Sequence, residues 1–69
     1  MNVYQIEYKN IIIDISVNKT EIRFNFKYED KNYGNAIILE NKKTETIVSK
    51  TALMILNAVE TYEALTTKK

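Results

Sequence analysis

The chain has 69 residues, a single glycine, no cysteine, no histidine and a formal net charge of +1. That length allows one domain with a marginal core, and the missing Cys and His exclude a disulfide or any common zinc site as its staple, which leaves oligomerisation. The near-neutral charge, mixed in sign along the chain, argues against bulk attraction to nucleic acid or to an anionic membrane, and the lack of Cys fits a reducing, cytoplasmic compartment.

The N-terminal residues Met1 to Gln5 lack a basic region followed by an apolar stretch, so no signal peptide is expected. The abundance of Ile, Lys, Asn and Tyr follows AT-rich codons and describes a genome more than a function.

Apolar residues recur at every second position as far as about Leu39, then at every third or fourth from about Ile47. A period of 2 gives way to a period of 3.6, which predicts an antiparallel sheet followed by one helix. The first strand is Val3 to Tyr8, with Tyr4, Ile6 and Tyr8 on one face. After a turn at Lys9-Asn10, the second strand runs from Ile11 to Val17, with Ile11, Ile13, Ile15 and Val17 sharing a face. Asn18-Lys19 is the next turn. The third strand, Glu21 to Glu29, places Ile22, Phe24, Phe26 and Tyr28 together. An Asp30-Lys31-Asn32 turn leads to the fourth strand, Tyr33 to Glu40.

Two-residue turns pair Tyr8 with Ile11 and Tyr4 with Ile15. The same logic pairs Ile15 with Ile22 and Ile11 with Phe26, which sets Asp14 opposite Arg23 on the outer face. Pairing Tyr28 with Tyr33 turns Ile37 and Leu39 inward, together with Asn35, and Ile38 outward. Gly34 marks a bulge or a close backbone approach.

Thr44 is the expected helix N-cap, with Glu45 in the first turn and the helix covering residues 45–66 towards Lys68 and Lys69. Val48, Ala52, Ile55, Val59 and Tyr62 form one stripe, widened by Ile47, Met54, Leu56, Ala58 and Leu65. About 22 helical residues span roughly 33 Å, whereas strands of about seven span roughly 23 Å. The helix is therefore expected to overhang the sheet while still carrying Ile47, Tyr62 or Leu65. The fold class is α+β: residues 1–69 form a single two-layer domain, a four-stranded antiparallel β-meander packed against one long C-terminal helix, ββββα.

The commonest general base and the strongest nucleophile are missing, and one glycine excludes a Gly-rich phosphate loop. Glu60 and Glu63 lie three residues apart on the helix, a spacing that reads as a solvated face. No catalytic residue, metal or cofactor is expected, and the chain reads as a non-enzyme.

What remains is surface. Ile12, Arg23 and Ile38, with Ala36, compose an expected partner-binding patch on the outer sheet face, a few apolar atoms around an Arg anchor. Leu53 projects from the wet side of the helix, and Leu53, Met54, Leu56, Tyr62 and Leu65 are the helical candidates. These features point to a small interaction protein that binds and modulates or inhibits a host protein, and that is itself an oligomer, with a dimer favoured. Size, missing chemistry and AT-rich composition suggest an accessory protein of a phage or mobile element, of the anti-defence, anti-CRISPR-like kind. A second reading is an oligomer that binds or sequesters a nucleotide signal, with Tyr62 and Tyr33 or Tyr28 lining its pocket. A nucleic-acid-binding regulator comes third, because the outer face lacks stacking aromatics and carries Glu7, Glu21, Glu29 and Glu40. No membrane span is expected, since the longest apolar run in the helix is Ala52 to Leu56.

Overall fold

The computed structural model describes residues 2–67. Strands β1 (Asn2–Tyr8), β2 (Ile11–Val17), β3 (Glu21–Tyr28) and β4 (Lys31–Ile38) form one antiparallel sheet in that order, followed by helix α1 (Thr44–Thr67). This is the expected ββββα architecture. Alternation places Ile11, Ile13, Ile15, Ile22, Phe24 and Phe26 on the face that meets the helix, where all six are buried. The basic pair Lys68-Lys69, expected at the helix end, lies outside the described residues.

The β1–β2 hairpin has the expected register, with Tyr8 opposite Ile11 and Tyr4 opposite Ile15. The next two hairpins correct the sequence reading by two residues each. In the second, Ile15 pairs with Phe24 and Val17 with Ile22, so Arg23 faces Ser16 and Asp14 faces Asn25. The expected Asp14–Arg23 pair is not formed. The cause is Asn18, whose side-chain oxygen accepts the backbone N–H groups of Thr20 and Glu21, both at 2.8 Å. That cap centres the turn on Lys19-Thr20, and the Asn18 N–H donates to the Glu21 carbonyl across it.

In the third hairpin Tyr28 pairs with Lys31 and Phe26 with Tyr33, so β4 starts two residues before the expected Tyr33 and ends at Ile38. The turn residues Glu29 and Asp30 have φ of 52° and 66°. Two positive values are the signature of the tight hairpin turn whose twist matches its strands. Pairing continues through Gly34, opposite Asn25, so there is no bulge. Gly34 is instead a close approach: a Cβ there would stand 2.7 Å from the Phe24 carbonyl oxygen. As expected, Ile38 faces out and Leu39 is buried. The Leu39 N–H donates to the Thr20 carbonyl, which ties the connection into α1 to the second hairpin.

The first helical hydrogen bond runs from the Ile47 N–H to the Lys43 carbonyl. Lys43, not Thr44, therefore occupies the N-cap position. Met54, Ala58 and Tyr62 are the buried line of α1, with Ile47, Ile55 and Leu65 packed beside them. Of the expected stripe Val48–Ala52–Ile55–Val59–Tyr62 only Tyr62 is buried; the helix is turned by roughly a quarter turn from the other four, and Val48 stays 63% exposed. Ile47 and Leu65 rest on the core near the two ends of α1, so the ends do not project past the sheet as free apolar overhangs. The helix packs chiefly on β3, then on β2 and β4. Strand β1 is left largely exposed, including Tyr4 on its inner face.

Two substitutions test this backbone account by urea unfolding. Gly34→Ala should lower stability by about 1–3 kcal/mol, because the β3 carbonyl has nowhere to move. Replacing the turn pair by Glu29→Asn with Asp30→Gly should raise it by about 1 kcal/mol, because both residues already hold the left-handed conformation.

Candidate functional site

Three surface regions result from this packing: the outer face of α1, the outer face of the sheet, and an open groove between α1 and β1. On α1, Leu53 and Leu56 are 43% and 52% exposed. They lie about one turn apart on the side away from the sheet, with exposed Ser49 and Glu60 on the same side. Met54 and Tyr62 are core residues, 1% and 6% exposed, and Leu65 is half-buried against that core. The structure thus divides the five helical candidates into two surface residues and three that hold the fold together.

The sheet candidates are divided in a similar way. Arg23 sits opposite Ala36, and Ile38 is beside them, opposite Glu21. Ile12 lies opposite Glu7, in the first hairpin and at the other end of the sheet. Ile12, Arg23 and Ile38 therefore do not form the compact patch that was expected; the two-residue register shift separates them. Arg23 bonds Glu21 through Nε and Nη2 at 3.3 and 3.1 Å, an exposed pair worth little. The centre of the outer face is a shallow polar depression of about 610 Å³, lined by Gln5, Asp14, Ser16, Arg23 and Asn25 and floored by Gly34. Within it, Gln5 donates to Asp14 at 3.0 Å.

Tyr62, Tyr28 and Tyr33, expected to line a pocket between subunits, belong to an aromatic cluster within the chain. The Tyr62 ring meets Tyr8, Tyr28 and Phe26 edge-on at centroid distances of 5.8, 5.5 and 6.2 Å. Such edge-to-face packing is favourable between aromatic rings. Tyr33 stacks on Phe26 at 5.6 Å.

Glu63 is partly exposed but paired. One of its carboxylate oxygens accepts the Tyr8 hydroxyl and the Lys9 ammonium, each at 2.6 Å. This clamps the β1–β2 turn to the last turns of α1. The hydrogen bonds from Lys9 and Tyr8 hold the Glu63 carboxyl below its ordinary value. The same contacts raise Tyr8 and Lys9, Glu63 being the largest cause for each. Glu60, one turn away, is exposed. No group of three or more His, Cys, Asp or Glu side chains gathers among the described residues, and no helix there is long and apolar enough to cross a membrane.

The groove between α1 and β1, about 410 Å³, is lined by Tyr4, Gln5, Ile6, Ile15, Thr51 and Ile55. It escaped the sequence reading, which placed Tyr4 and the Val48 stripe in the core. The signal was geometric: a helix about 10–12 Å across cannot cover four strands about 4.8 Å apart. Comparison with protein-family models, with curated proteins and with solved structures found no match.

The clamp has a pH signature. A carboxyl lowered on folding contributes stability above its unfolded value, near 4.5, and loses it as pH falls through the lower folded value. Lys9 and Tyr8, raised on folding, contribute below about pH 10 and lose that contribution above it. Glu63→Gln should flatten the acid limb of a stability–pH profile measured by thermal unfolding; an unchanged acid limb would show that the clamp does not form.

Proposed function

We propose that the chain is a small non-enzymatic interaction module that binds a host protein through the outer face of α1 and so modulates or inhibits it. The observation that supports this reading is the exposed pair Leu53 and Leu56, set on a rigid 24-residue helix. Apolar side chains at i and i+3 with a polar surround are the anchors of helix-in-groove recognition. Glu45 and Glu60 are exposed on the same helix. Lys50 stands one turn before Leu53, so the partner surface that complements this face is an apolar groove with a rim of mixed charge. A chain of this size acts by occlusion, which suits an inhibitor, and its composition suits a phage or mobile-element accessory protein.

The test is capture of a partner from lysate of a low-GC bacterial host. One stoichiometric protein should be retained by the wild type and by Arg23→Glu. Leu53→Asp and Leu56→Asp should each lose it, with affinity falling at least tenfold as expected for a central apolar anchor. Retention by both Leu variants, with loss in Arg23→Glu, would move the binding face to the sheet.

A further inference from the structure

We propose that β1 pairs antiparallel with β1 of a second copy about a twofold axis through Gln5, which continues the sheet to eight strands and closes the groove over Tyr4.

The backbone determines which groups are free. Asn18 bonds Glu21 across the second turn, so even-numbered residues of β2 direct their N–H and C=O groups to β3. Odd-numbered ones face β1, where their partners are Tyr8, Ile6, Tyr4 and Asn2. Val3, Gln5 and Glu7 therefore point their backbone groups away from the sheet along an edge with no Pro and no bulge. The other edge is different. There the outward Ala36 N–H is already taken by the Asn35 side chain at 2.9 Å. The protein blunts β4 and leaves β1 open.

The side chains select a second copy as the occupant and select its register. Pairing centred on Gln5 sets Val3 opposite Glu7 of the second copy, with no like charges in contact. Centring on Glu7 would oppose two carboxylates. The Gln5 register also places Tyr4 opposite Ile6 of the second copy on the inner face, where cross-strand aromatic and β-branched side chains pack well. Tyr4 is 52% exposed without it. A stable dimer takes about 800 Å² from each chain, roughly a sixth of the 5039 Å² surface here. The strand edge alone supplies too little. The inner face adds Tyr4 and Ile6, with Ile55 beside them in the groove. Val48, Ala52 and Val59 lie on the same side by helical spacing. Leu56 borders this surface through Ala52 and Val59, whereas Leu53 points away from it, so Leu53→Asp separates the dimer from the host-protein reading.

The test is sedimentation of the full chain from micromolar to millimolar concentration. Wild type should form a concentration-dependent dimer, and Leu53→Asp should leave it intact. Gln5→Pro removes an outward N–H, which an edge strand tolerates, and an exposed side-chain bond to Asp14, and should give a folded monomer. Gln5→Lys, which sets two like charges on the axis, serves as a second variant should the proline disturb the hairpin. Because the native chain has no cysteine, Gln5→Cys adds a geometric reading. Across the axis the two Cα atoms would stand about 5.5 Å apart, within the disulfide range of about 4.4–6.8 Å. Oxidation should yield a covalent dimer for Gln5→Cys and far less for Val3→Cys. A monomer at every concentration, a dimer that survives both Gln5→Pro and Gln5→Lys, or preferential cross-linking of Val3→Cys would each overturn the proposal. So would a β1 edge that pairs only with an added extended peptide.

Discussion

One helix is narrower than the four-strand sheet it covers, and most of the molecule follows from that mismatch. A helix must place its apolar line where it covers the most sheet, and α1 does so over β3, with β2 and β4 on either side. Ala58, fully buried, allows the close approach, while Met54 and Tyr62 fill the space along the helix. The remainder falls on β1: its outer edge is unpaired, its inner face is half covered, and a groove separates it from α1. The clamp of Tyr8 and Lys9 on Glu63 holds the turn end of β1 to the helix. It does nothing for Tyr4, further along the strand.

How far the sequence foretold this depends on what alternation encodes. A period of 2 determines which residues face in, and the buried set from Ile11 to Phe26 was legible for that reason. It does not distinguish registers that differ by two residues, because an even shift preserves every face. The second and third hairpins moved by that amount. The deciding interactions were local ones: the Asn18 side chain capping two N–H groups, and a left-handed Glu29-Asp30 turn without the usual Asn-Gly. The outer face then rearranged with the register. Arg23 lost Asp14 and gained Glu21, and Ile12 separated from Ile38.

The helix was readable in extent but not in phase. Its apolar residues cover more than half of the circumference, so two adjacent stripes competed for the sheet. The line Met54–Ala58–Tyr62 took the core, and the heptad-like line Val48–Ala52–Ile55–Val59 was left beside the groove. Candidate residues chosen from sequence mixed core and surface positions. Leu53 and Leu56 are surface residues because they lie furthest from the sheet. Met54 and Tyr62 sit where an unbranched thioether and an aromatic cluster fill the core. A 69-residue chain without a covalent staple gains stability from covering its remaining apolar surface, and the uncovered stripe and edge both lie on the β1 side.

Amide hydrogen exchange, resolved residue by residue by NMR across a concentration series, tests the incomplete cover of β1 most directly. The account predicts that the Tyr4 and Ile6 amides, bonded to β2, are protected even in dilute protein. The Val3, Gln5 and Glu7 amides should exchange rapidly when dilute and slow as concentration rises, while Asn32 and Gly34 on the β4 edge stay unchanged. Protection of Val3, Gln5 and Glu7 in dilute protein, or a concentration effect confined to β4, would contradict it.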